Sequence, residues 1–356
     1  MKDFKDKLSR LLFLEFNKDK AEELFGVKIT SDDLYLPVNP EFLVNKVKEG
    51  NSLKNLPLNE FIVGMAYAAG SDEDFKYLPE YKKILFNFPE AEKIIKAKTA
   101  ELTKSENKSE DVIIMLMGLN EIFGGNDTED ILLSFLEEKS LKNPEYNDLA
   151  LKYSDLAVEN KNRNGHLIKG SVLSSMGKRG EALTELREYI RQGGEETPEL
   201  TLKMDEMKRQ EDLENAYSLI AEKPSEALAV MLPYYRTDSD SPALLFNIAR
   251  AYRNLTNYEK AVYYLNEALA LDPEYADVIH ELGINYAMMG DYKTAEGYLR
   301  RVYEATKEFS PMSNLIIALF SQGKNDEAEY LLSKAEEIKP GDEILEAIKR
   351  TYLGGE

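Results

Sequence analysis

Between residues 242 and 340 the chain repeats itself with a period of 34 residues. Ala249 is answered by Gly283, Tyr252 by Tyr286, Ala261 by Ala295 and Leu265 by Leu299, each 34 positions on. A third copy is one residue shorter and puts Ala328, Leu332, Ala335 and Pro340 in the corresponding places. A period of this length means that each unit is one supersecondary motif that buries its apolar face against copies of itself. Each unit reads as two amphipathic helices with a short turn between them. The small residues Ala249 and Gly283 fall where the first helix crosses the second, and Ala261 and Ala295 answer them from the second helix. Asp240-Ser241-Pro242 supplies a cap and an N1 proline for a helix start. Leu271-Asp272-Pro273 ends the preceding helix, because proline cannot continue one.

The same small-residue anchor recurs upstream at Ala227, Ala182 and Ala150, spaced 45 and 32 residues apart. Around Ala182 the match is good, with Gly170 twelve residues before it and Leu186 four after it. Around Ala150 and Ala227 it is degenerate, and the insertion Gly193–Pro198 lies between them. The order small residue, Tyr, Ala, large apolar residue, Ala, Pro resembles the tetratricopeptide repeat. That resemblance implies an all-α fold: a right-handed α-solenoid of tetratricopeptide helix pairs with a helical N-terminal region. Clear units are expected near 163–196, 242–275, 276–308 and 309–342, and degenerate ones near 131–162 and 208–241, all within an array of residues 108–352. A C-terminal capping helix over 342–352 would cover the open end, as solenoids require for solubility.

Residues 1–107 do not carry the repeat and read as a helical region: a cap continuous with the array, a separate small domain or diverged repeats. The pattern gives helices at about 3–24, 40–49, 57–69, 74–87 and 90–104, with an extended or loop stretch over 27–40. Gly64 and Tyr67 reproduce the small–Tyr spacing of the repeat.

Composition narrows the function. The absence of cysteine excludes disulfides, thiol catalysis and cysteine-ligated metals. A formal charge of −20 argues against nucleic acid as a partner, since phosphate binding needs a basic face. The apolar stretch Leu11–Leu14 stops at Glu15, short of a signal-peptide core, and Val112–Met117 falls far below a bilayer span. The expectation is a soluble, cytoplasmic protein without membrane contact. Gly124-Gly125 and Gly193-Gly194 lack the following Lys-Ser/Thr of a phosphate loop. The acidic turn 126–130 lacks the central glycine and closing glutamate of a helix–loop–helix calcium site and reads as a helix start capped by Asp127 or Thr128. With only His166 and His280 available, no metal site, cofactor or catalytic triad is expected.

In the family that the repeat resembles, the first helices line a concave groove. Carried over position by position, the groove would be lined by Phe246, Asn247, Arg250, Arg253 and Asn254 in one unit. His280, Glu281, Ile284 and Met288 follow in the next unit, and Asn314, Ile317 and Phe320 in the last. Apolar side chains there would anchor a protein or peptide segment, the asparagines would hold its backbone, and the arginines would meet a carboxylate. The carboxylate clamp of chaperone-binding members is absent, because Phe246, Arg250, Glu281, Ser310 and Asn314 stand where its key residues belong. The function expected is a non-enzymatic scaffold or adaptor. A peptide-sensing regulator with the N-terminal helices as output, a carboxylate-based enzyme, and self-association into a homo-oligomer are the readings set against it.

Overall fold

The computed structural model describes residues 2–31, 33–48, 57–237 and 241–354. They divide into two compact units, Met1–Met207 and Lys208–Glu356. The division falls a hundred residues beyond position 107, so the stretches around Ala150 and Ala182 lie in the first unit and Ala227 in the second.

The first unit opens with a turn of 3-10 helix (Lys5–Arg10), strand β1 (Leu12–Phe16), helix α1 (Lys18–Phe25), strand β2 (Leu34–Val38) and α2 (Pro40–Lys48). The single helix expected over 3–24 is thus replaced by a turn, a strand and a short helix. The cause is long-range pairing: β1 and β2 run antiparallel in the register Leu12↔Val38, Leu14↔Leu36 and Phe16↔Leu34. Bulky apolar side chains meet across the ladder, and that outweighs local helix preference. Asn17 then starts α1 by accepting from the Asp19 and Lys20 amides, and Gly26 at φ +64° ends it. The helix expected over 40–49 is α2; Glu49 lies outside the described residues.

There follow α3 (Leu58–Ser71), α4 (Leu78–Asn87), α5 (Ala91–Leu102), α6 (Ser109–Phe123) and α7 (Asn126–Lys142). Next come α8 (Asn147–Glu159), α9 (Asn164–Ser175), α10 (Arg179–Arg191) and α11 (Pro198–Leu219), whose residues fall on both sides of the division. The most apolar run of the sequence, Val112 to Leu116, is buried in the core of this unit. No helix among the described residues is long and apolar enough to cross a membrane. Gly64 is not a repeat crossing: it lets α3 lie on β2, and a Cβ there would stand 2.1 Å from the Pro37 carbonyl oxygen. Gly70 and Gly118 bring α3 and α6 backbone to backbone, since a Cβ on Gly118 would meet the Ala66 oxygen at 2.0 Å. At Gly170 a Cβ would fall 2.7 Å from the Leu186 side chain, which marks a small-residue crossing of α9 and α10.

The second unit holds α12 (Pro224–Thr237), α13 (Pro242–Asn254), α14 (Tyr258–Leu271) and α15 (Ala276–Met288). It continues with α16 (Tyr292–Thr306), α17 (Phe309–Ser321), α18 (Asn325–Ile338) and α19 (Glu343–Tyr352). Each helix from α12 to α18 packs on the next, and the first helices of successive pairs, α13, α15 and α17, also touch. α19 packs on α17 and α18. Ala249, Ala261 and Ala295 are fully buried, and a Cβ on Gly283 would meet the Leu299 side chain at 2.6 Å. Tyr252 stacks on Tyr264 (5.5 Å between centroids) and Tyr286 on Tyr298 (5.6 Å), so the repeat reproduces an aromatic pair as well as a helix pair. Ser241 caps α13 by accepting from the Leu244 amide, while Asp240 lies outside the described residues. The second helices are capped in register, by Asn257 on α14 and Asp291 on α16.

Two substitutions test this account. Gly118→Ala should destabilise the chain by about 2 kcal/mol or more, because a methyl driven into a backbone carbonyl forces α3 and α6 apart; urea unfolding measures it. The turn between the helices of each pair needs a left-handed residue, which is Gly177, Gly290 and Gly323 in three turns but Thr256 at φ +58° in the fourth. Thr256→Gly should therefore raise stability by about 0.5 to 1 kcal/mol, since relief of the left-handed strain exceeds the extra entropy of an unfolded glycine. A melting temperature that falls instead would contradict the strain argument.

Candidate functional site

All twelve residues assigned to the groove lie on α13, α15 and α17, and the structure gives them unequal roles. Several tie one helix pair to the next. Arg253 on α13 reaches Glu281 on α15, with Nε 2.5 Å from Oε1 in an ion-pair contact whose N–H is not aimed at the oxygen. Asn314 Nδ2 on α17 lies 2.9 Å from His280 Nε2 on α15, a donor on the imidazole's lone pair. Asn254 turns away from the face and donates to the Ile220 carbonyl (2.9 Å), which satisfies a helix-end oxygen. At the other end Phe320 is buried and stacks on Tyr352 of α19 (5.1 Å), and Ile317 packs beside it.

What stays accessible is a strip across α13 and α15. Phe246 is half-buried and tilted against Tyr275, and the Arg250 guanidinium sits 5.6 Å from the Phe246 ring centroid. Asn247 donates to the Ala243 carbonyl (2.9 Å) and leaves its oxygen toward Arg250. Ile284 is half-buried and Met288 is 56% exposed. The strip thus carries an apolar floor, one guanidinium and the Asn247 amide.

Asn285, one helical turn beyond Glu281, escaped the sequence reading. It is fully buried and donates to the Glu281 carbonyl (2.8 Å) and to Oε1 (3.3 Å), while its own oxygen has no protein partner. The available signal was its i,i+4 spacing from an acid. Burial raises the Glu281 carboxyl above the usual range, against the pull of Arg253 and then Arg250. Burial also holds the His280 imidazole below its ordinary value, although Asp277 and Glu308 act the other way.

The remaining candidates fall in the first unit. His166 Nδ1 lies 2.6 Å from Glu185 Oε2, and Lys169 bridges Glu185 (2.8 Å) and Asp155 (2.9 Å), which makes an internal network. The acidic turn 126–130 starts α7 after Gly125, without a side-chain cap from Asp127 or Thr128. Its Glu129 is buried and accepts from Asn160 and from Asn162 (3.1 Å). Among the described residues no group of three or more His, Asp or Glu could hold a metal ion.

The family model for the tetratricopeptide repeat matches residues 240–308. No curated protein matches the sequence. Among solved structures the chain is similar to MamA, at 19% identity over 53% of this chain and 94% of that one, with a TM-score of 0.37. It is also similar to PilW, a type IV pilus biogenesis factor, at 14% identity over 63% and 99% with a TM-score of 0.37. A third is the Sgt2 repeat domain from Aspergillus fumigatus, at 24% identity over 35% and 82% with a TM-score of 0.31.

The depressed imidazole has a measurable consequence. A histidine that binds its proton less readily when folded contributes stability above about pH 6.5, and that contribution is lost as the pH falls below it. Glu281, raised, acts in the opposite sense, favouring the fold at low pH and losing that contribution as its carboxyl ionises. An NMR titration should place the His280 midpoint below that of a histidine in a short peptide. His280→Gln should flatten the loss of stability between neutral and mildly acidic pH; an unchanged slope would contradict the assignment.

Proposed function

The chain is a tetratricopeptide-repeat protein over residues 240–308, and from that premise we propose that it is a protein-interaction scaffold. The bound element is a segment of another protein, laid on the first-helix face of α13 and α15. The observation that carries this reading is the strip of Phe246, Arg250, Ile284 and Met288, accessible on helices already locked together by the contacts of Arg253 with Glu281 and His280 with Asn314. Such a face is preorganised: a partner meets apolar surface and one forked donor without first ordering them. Burial of the apolar floor contributes about 25 cal/mol per Å2, and Arg250 selects for a carboxylate or a backbone carbonyl nearby. No catalytic step enters the reading; the chain holds and positions.

The test uses tagged full-length protein against lysate of its source cells, beside the double variant Arg250→Ala with Met288→Asp. Both substitutions fall on the accessible strip and leave the inter-helix ties intact, and circular dichroism checks the fold. A protein captured by the wild type should be lost at least about tenfold by the variant, the equivalent of about 1.4 kcal/mol. If both forms capture the same set, or the wild type captures none, the strip is not the binding face.

A further inference from the structure

Helix α19 carries two faces. Leu345 and Ile348 are buried against α17 and α18. On the other side Ile344, Ala347 and Thr351 form an exposed stripe at i, i+3 and i+7, with Ile344 50% exposed. With Ile317 of α17 and Tyr352 this stripe lines an open hollow of about 370 Å3. The charges on the helix are ordered as well. Glu343 stands in the first turn and Arg350 in the last, and among the described residues neither has an ion-pair partner. Glu346 and Lys349, in contrast, are used within the chain: Lys349 pairs with Glu346 (2.9 Å) and with Glu336.

We propose that this stripe binds the same stripe of a second copy, the two α19 helices running antiparallel about a two-fold axis at Ala347. In such a pair residue 347+n faces residue 347−n. Ile344 and Glu343 of each helix then come level with Arg350 and Thr351 of the other, which puts Glu343 one residue's rise, about 1.5 Å, along the axis from the opposing Arg350; the contact is made twice, as an isologous interface requires. Ala347 at the crossing lets the backbones approach, and Ile344 enters the hollow beside Ile317 and Tyr352. A parallel pair would set Glu343 against Glu343 and is excluded by repulsion. The charge of the whole chain, −20, repels copies in general and would draw a basic partner in general. This stripe is different: it presents one acid and one base at opposite ends, the complement of its own reverse. A face only ten residues long buries less than the roughly 1,600 Å2 of a standard interface, so the dimer is expected to exchange with monomer in the micromolar range.

Sedimentation velocity on the full chain, from about 1 to 200 µM, tests the pairing. The wild type should shift from monomer toward dimer across the series. Glu343→Arg and Arg350→Glu should each weaken dimerisation about tenfold by placing like charges opposite one another, and the double reversal should restore it. Ala347→Glu, an exposed and helix-compatible change, should leave the chain folded by circular dichroism and monomeric at every concentration. The Arg250→Ala, Met288→Asp variant should dimerise like the wild type, which separates this interface from the binding strip. A wild type that stays monomeric, a dimer indifferent to Ala347→Glu, or a double reversal that fails to restore association would each overturn the proposal; the first would leave the hollow to a different partner.

Discussion

Helices in this chain come close where one of them gives up its side chain. Between α15 and α16 the place is Gly283, where a Cβ would stand 2.6 Å from Leu299; between α9 and α10 it is Gly170, under Leu186. A large residue at either point would widen the crossing, and packed interiors do not absorb such volume without shifting helices. The separation set there decides which first-helix residues of neighbouring pairs can reach one another. Arg253 meets Glu281, and His280 meets Asn314, where α13, α15 and α17 touch.

The polar ties do a different job from the apolar core. Glu281 is only 6% exposed, and burial keeps its carboxyl high even with two arginines nearby. A buried ion pair of this sort contributes little net stability, since desolvation offsets most of the attraction. What it contributes is register: removing Arg253 leaves the buried Glu281 carboxyl without its cation, so packings of α13 on α15 that separate the two are penalised. Asn285 adds to the same end by donating twice to Glu281. The face that results is held in place by the chain's own contacts.

The period of 34 residues was enough to read the helices of 242–338 and their small-residue crossings, and Asp240-Ser241-Pro242 the cap at Ser241, because each follows from local spacing and side-chain chemistry. The expected extended or loop stretch over 27–40 contains β2, but nothing in the sequence revealed β1 or its pairing with β2, which joins Leu14 to Leu36 across 22 positions that no periodicity links. Nor could position alone separate open groove residues from closed ones. Asn254 and Arg250 stand on the same helix, yet one is spent on the Ile220 carbonyl and the other lies over Phe246. That choice depends on what the neighbouring helix presents, and the sequence of one unit does not contain it. The acidic turn at 126–130 does begin a helix, as read, but without the cap expected from Asp127 or Thr128: α7 follows Gly125 with no side-chain cap.

The third pair departs from the first two. Where the first two carry Tyr252 on Tyr264 and Tyr286 on Tyr298, the third has Leu319 and Leu331. The aromatic contact moves to Phe320, which takes the place of Arg253 and Ala287 and stacks on Tyr352 of α19 instead. The change from Arg to Phe at that position turns a tie between charged helices into a seat for a closing one. Helix α19 covers α17 and α18 with Leu345 and Ile348, and among the described residues its outer stripe packs on no further helix. A helix laid on the last pair shields that pair's core and presents its own outer face in exchange.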